Sequence, residues 1–145
     1  MKGFTLLEIL LIIAIIVFLI ALILPLGFDF YKNQQLQTNS QQILQTLRRA
    51  QLKAMAVEQD SSFGVYITDD NYTLFKGSSY ITRDSQFDEV FELPVVINIQ
   101  DYPKEIIFSK LEGKPNPPTV NITINSGGLA QVITINEVGR INLEL

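Results

Sequence analysis

The sequence predicts an α+β fold, in which a long helical spine is followed by an antiparallel sheet. Three observations support this. An unbroken apolar run lies near the N-terminus, from Ile9 to Leu24. A pattern with the helical period follows it as far as Val57. Beyond Asp60 the apolar period changes to two. Helix first and strands afterwards is the order of an α+β domain, with the sheet covering one helix face.

The 145 residues are a prior for one domain. With 47% apolar and 18% charged residues, the chain is not a disordered tail. It has 11 basic and 15 acidic residues, a net charge of −4, which argues against a nucleic-acid partner. The absence of cysteine excludes disulfides, thiolate metal sites and a cysteine nucleophile. The absence of histidine removes the commonest general base and the commonest metal ligand. No catalytic residue, metal site or cofactor is expected.

The first element is the apolar run. With Phe4 to Glu8 included it spans about 21 residues, and about 32 Å as a helix, enough to cross a bilayer core of roughly 30 Å. Residues 1–28 admit three readings: a cleaved secretory signal, a plain anchor, or a span that doubles as an assembly helix. The run is long for a signal peptide and ends in Pro25-Leu26-Gly27, without small residues at a cleavage position. Lys2 and Lys32 flank it almost symmetrically, so charge alone does not orient it. A folded domain can lie only on the C-terminal side of the span, and its export is expected.

Glu8 needs a reason to stand in this run. Thr5-Leu6-Leu7-Glu8 fits a capping box ahead of an apolar stretch. Taken with its neighbours, Lys2-Gly3-Phe4-Thr5-Leu6-Leu7-Glu8 before a long aliphatic run resembles the start of type IV prepilins and pseudopilins. That resemblance implies a pilin-like fold and a leader of residues 1–3. It implies cleavage between Gly3 and Phe4 by a membrane peptidase that also N-methylates Phe4. It makes Glu8 the assembly carboxylate and Pro25 the helix-interrupting proline. It also implies a bacterial inner-membrane, single-pass subunit whose partners are other pilin or pseudopilin subunits, the peptidase-methylase and membrane lipid. Physically, a freed amine at Phe4 can meet Glu8 of a neighbouring helix, and two charges that are costly alone become less so when paired.

Pro25 is expected to kink the spine rather than end it, because a helical pattern resumes. Leu36, Ser40, Ile43, Leu47, Ala50, Ala54 and Val57 recur at three- and four-residue spacing, flanked by Leu44 and Met55. The exported domain is thus expected over 29–145, with an amphipathic helix at about 30–58 and a β-rich region at about 62–145.

Alternation marks strands at Phe63–Ile67, Tyr72–Leu74, Val120–Ile124 and Ile141–Leu145, and β-branched residues mark Val95–Ile99, Glu105–Phe108 and Gln131–Ile135. Turn signals stand at Asp69-Asp70-Asn71, Lys76-Gly77-Ser78, Glu112–Pro118 and Ser126-Gly127-Gly128. Residues 76–93 and 109–118 read as long loops or edge hairpins. The segments LQTLRRAQLKAMAVEQ, FGVYI and ITINEVGRINLEL look most like a minor pseudopilin of the H type.

Some small clusters suggest other chemistry. Asp69-Asp70-Asn71 offers oxygen ligands but suits a hairpin turn better. Gly127-Gly128 lacks the lysine and helix of a phosphate loop. Asp88, Glu89 and Glu92 read as a solvated strand face. Arg48, Arg49 and Lys53, with Arg140, suggest a DNA-contacting patch, but the exported region is net acidic and the first three read as ordinary solvent residues of a helix. The reading they support is a structural filament subunit of a type II secretion pseudopilus or a type IV pilus. The alternative is a single-span module that binds DNA or a surface ligand.

Overall fold

The computed structural model describes residues 4–102 and 104–144, apart from the side chains of residues 23–27. The expected leader, with Gly3, lies outside the described residues. So do Pro103 and Leu145.

A long α-helix, α1, runs from Leu6 to Met55. Thr5 caps it in an extended conformation, and its side chain accepts a hydrogen bond from Glu8 N–H. The helix continues through position 25 as one element. The Pro25 side chain, and the kink expected of it, lie outside the described residues. From Leu36 onward one face is buried, with Leu36, Ser40, Ile43, Leu44, Leu47, Ala50 and Ala54 nearly or fully inaccessible. These are the positions that the helical period selects.

The helix stops at Met55, ahead of the expected 58. Val57, expected on the buried face, instead takes a left-handed conformation at φ 55°, and Gln59 and Asp60 also have positive φ. A β-branched residue is strained there. The reversal is held by Val57 N–H to Ala54 O at 3.1 Å and by Lys53 paired with Glu58 at 2.8 Å. Met55, expected beside the buried face, is exposed.

Among the described residues nine strands follow: β1 (Phe63–Ile67), β2 (Asn71–Lys76), β3 (Glu89–Glu92), β4 (Asn98–Ile99), β5 (Lys104–Phe108), β6 (Pro115–Asn116), β7 (Val120–Ser126), β8 (Leu129–Ile135) and β9 (Ile141–Glu144). They form two antiparallel sheets rather than the one expected, ordered β3-β2-β1-β5-β6 and β4-β7-β8-β9. The split follows from β1. It pairs with β2 on one side and with β5 on the other, Val65 facing both Leu74 and Ile106. The β7–β8–β9 meander is left to form its own sheet.

The helix packs on both sheets, against β1, β2 and β5 of one and β7, β8 and β9 of the other. Its path along the second sheet can be followed residue by residue. Lys32 lies against the β7–β8 turn at Gly127. Arg48 donates to Ile141 O at 3.2 Å, and Gln51 donates to Gly139 O at 2.7 Å. The core between helix and sheets is aliphatic, with Ile43, Leu47, Val65, Ile106, Ile122, Ile124 and Ile133 fully buried. On the opposite, outer face of the first sheet Gly64 leaves room for Phe75, since a Cβ there would meet Phe75 Cζ at 2.5 Å and Ile106 O at 2.8 Å.

Residues 76–93 and 109–118 hold loops and the two edge strands of the first sheet, β3 and β6, as expected. The run Val95–Ile99 does not form the expected strand. Only Asn98–Ile99 pairs, Val95 is fully exposed, and Ile97 N–H closes a turn onto Pro94 O. Here the β-branched residues fill a turn beneath which Ile97 and Ile99 reach the core.

Candidate assembly site

Every residue from Phe4 to Leu22 is exposed. In the domain the helix gains a buried face only from Leu36. A contiguous apolar surface of this size on a single chain marks an interaction or membrane surface. Leu6–Leu22 gives about 26 Å of apolar helix, short of a roughly 30 Å bilayer core. Among the described residues no helix is long and apolar enough to cross a membrane. In the sequence the run continues to Leu24.

Glu8 is the single charged residue of this stretch. Its N–H is bonded to Thr5 Oγ1 at 3.3 Å and to Thr5 O at 3.1 Å. Half of the capping box is therefore present. The other half, a bond from Thr5 N–H to the Glu8 carboxylate, is not formed among the described residues. The carboxylate is exposed, in the first turn of the helix, where the dipole favours negative charge. Phe4, four residues before it, is 72% exposed. Capping thus uses the Glu8 backbone and leaves its charge available.

The competing clusters have other uses. Asp70 Oδ1 accepts from Thr68 Oγ1 at 2.8 Å and from Asn71 Nδ2 at 2.9 Å, closing the β1–β2 hairpin. Gly127 and Gly128, both at positive φ, form the β7–β8 turn. Arg48 bonds the Ile141 carbonyl, Arg49 pairs with Glu89, and Lys53 pairs with Glu58. These three cations, read as solvent-facing, are partnered within the domain. Asp88 departs from the solvated face expected of it. Its side chain is 13% exposed and pairs with Arg83 at 2.7 Å. That hydrogen bond raises the Arg83 pKa above its usual value. Arg83 also lies over the Tyr80 ring, which stacks on Tyr66 with centroids 3.9 Å apart. The pair pins the 77–88 loop to the outer face of the first sheet.

A cleft that no sequence motif signals lies between α1 and the β3 edge. It holds about 300 Å³ and is lined by Gln42, Gln45, Thr46, Arg49, Tyr72 and Phe91. Tyr72 and Phe91 stack with centroids 5.0 Å apart, and the Arg49 guanidinium lies 5.8 Å from the Phe91 ring. Burial raises the Tyr72 pKa, opposed by the neighbouring Thr46 hydroxyl and the charge of Arg49.

The chain matches no protein-family model and no curated protein. Among solved structures it is similar to the minor pseudopilin EpsH of the type 2 secretion system of Vibrio cholerae. The TM-score is 0.56 at 14% identity, over 75% of this chain and 95% of that one. The chain has the fold of a minor pseudopilin. At that identity the likeness is one of fold. In this chain one continuous helix, α1, carries both the exposed apolar stretch and the face buried in the domain.

Proposed function

We propose that the chain is a structural subunit of a membrane-anchored helical filament, of the minor pseudopilin kind, and that it performs no reaction of its own. One observation carries this reading. An exposed apolar helix with a single carboxylate free of side-chain bonds runs without interruption into a domain of pseudopilin fold. In the membrane, residues 4–28 span the bilayer and residues 29–145 lie outside the cytoplasm. In the filament, the same residues bundle with those of neighbouring subunits. Glu8 then meets the amine that cleavage between Gly3 and Phe4 exposes, and the pairing sets the axial register rather than adding bulk stability. Pro25 bends the spine where it leaves the bilayer. EpsH belongs to a type 2 secretion system, so a secretion pseudopilus is the first filament to test.

The test is intact mass and N-terminal sequencing of the membrane form, produced with and without a prepilin peptidase. With the peptidase, a chain starting at N-methylated Phe4 is expected. A chain still starting at Met1, or one cut near Gly27, would refute the reading.

A further inference from the structure

The cleft beside β3 combines two features. The first is a free backbone edge. Leu93 N–H donates to Asp70 O at 2.8 Å, one step beyond the register that sets Glu92 against Asn71. Bonded and non-bonded pairs alternate along an antiparallel ladder. Phe91–Tyr72 and Glu89–Leu74 are therefore the bonded pairs. Val90 and Glu92 turn their N–H and C=O groups away from β2, and among the described residues these groups have no backbone partner. The second feature is the cavity of about 300 Å³ on the helix side of the same strand. Phe91 packs toward the core on that side, while Val90 is 60% exposed on the other.

We infer that this edge is a docking site for an extended segment of a partner protein. The segment adds a strand alongside β3 and places one large apolar side chain over Tyr72 and Phe91, beneath Gln42 and Gln45. Main-chain bonds supply affinity in this mode, and the pocket for alternate side chains supplies selectivity. The cavity is at the small end of ligand pockets, suited to one side chain rather than a whole small molecule.

Charge selects the occupant. Glu89 is neutralised by Arg49, but Glu92 is exposed at the open edge. A second copy of this chain is net acidic, and its own edge strand β9 would bring Glu144 to the contact. Like charges facing each other across a strand pair are destabilising, and charged edges resist self-pairing. The fitting segment therefore carries Lys or Arg beside its apolar anchor. The opposite edge of this sheet is closed to such addition, because β6 begins at Pro115 and Pro117 and Pro118 follow it.

The experiment uses full-length protein in detergent micelles and a labelled, end-blocked peptide, Lys-Val-Thr-Phe-Thr-Lys, read by fluorescence polarisation. Saturable binding is expected. Val90→Pro removes an N–H that the fold does not use and should weaken binding about tenfold or more. Val90→Thr should bind as wild type. A peptide with glutamates in place of its lysines should bind less tightly. On the wild-type protein, the peptide should slow hydrogen exchange at the Val90 and Glu92 amides, a readout independent of how well the proline variant folds. Undiminished binding by a folded Val90→Pro, protection at other amides, or no binding would overturn the inference. Self-association competed by the peptide and lost in Val90→Pro would assign the edge to a second copy and overturn it too.

Discussion

Glu8→Gln separates the assembly role of this residue from helix capping. The change keeps length, shape and hydrogen-bonding capacity, and glutamine serves equally well at this capping-box position. The Glu8 contribution to the cap is its N–H bonded to Thr5 Oγ1, which the substitution leaves in place. Only the charge is removed. Four residues separate Phe4 from Glu8, about 6 Å of helix rise. A neighbour shifted axially by that much brings its Phe4 amine level with the carboxylate. At a separation of about 4 Å and an effective dielectric near 20, the attraction is about 4 kcal/mol. Breaking a buried pair costs about 3–5 kcal/mol, and less where water reaches it. A loss of about 3 kcal/mol is roughly a hundredfold in the subunit concentration needed for incorporation.

The assay is co-purification of the variant with sheared filaments, normalised to its membrane level and to its processed fraction. Processing should continue, since the cut lies on the other side of Phe4. Thr5→Ala is the control, because it removes the capping acceptor and should cost the helix about 1 kcal/mol. Intersubunit pairing predicts that Glu8→Gln is far more damaging than Thr5→Ala. Wild-type incorporation of Glu8→Gln, or a larger defect in Thr5→Ala, would refute the pairing and leave capping as the role of this residue.

A fragment starting near Asp29 should fold alone, since the buried core begins at Leu36. In it Leu47→Ala should cost about 2–5 kcal/mol by denaturant titration followed by circular dichroism, and Leu47→Asp should leave it unfolded. Gln51→Leu should cost about 1–3 kcal/mol. It removes the amide that donates to Gly113 O at 2.9 Å and to Gly139 O at 2.7 Å, and faster hydrogen exchange confined to those two loops would identify the cause. The raised Tyr72 pKa means that the folded state holds this proton more tightly than the unfolded state, whose value is near 10.0. Its contribution is thus complete below pH about 10 and is lost as pH rises through the folded value. Melting temperatures from pH 8 to 11 should fall less steeply in Tyr72→Phe than in wild type, and equal slopes would contradict the assignment.

What the sequence made legible follows the range of the interaction that decides each feature. Leu36, Ser40, Ile43, Leu47, Ala50 and Ala54 were readable because a helix face is set by neighbours three and four residues apart. Val57 continued that period and still left the helix, because the chain must reverse there to begin β1, and no glycine marks the reversal. The alternation in β1, β2, β7 and β8 was local and readable. Their division into two sheets was not, because it depends on β5 returning to β1 across some forty residues. The run Val95-Val96-Ile97-Asn98-Ile99 misled for a related reason. β-Branched residues suit a strand, yet here a turn under Pro94 brings two of them to the core and leaves Val95 in solvent. The two candidate sites divide in the same way. Phe4, Glu8 and the apolar run lie on one helix, so spacing alone gathers them. The cleft at Tyr72, Phe91 and Gln45 exists only because β3 is an edge strand and α1 overhangs it. Asp88, Glu89 and Glu92 look alike in sequence. The fold gives one of them to Arg83, one to Arg49, and leaves Glu92 at the open edge, where its charge bears on what can pair there.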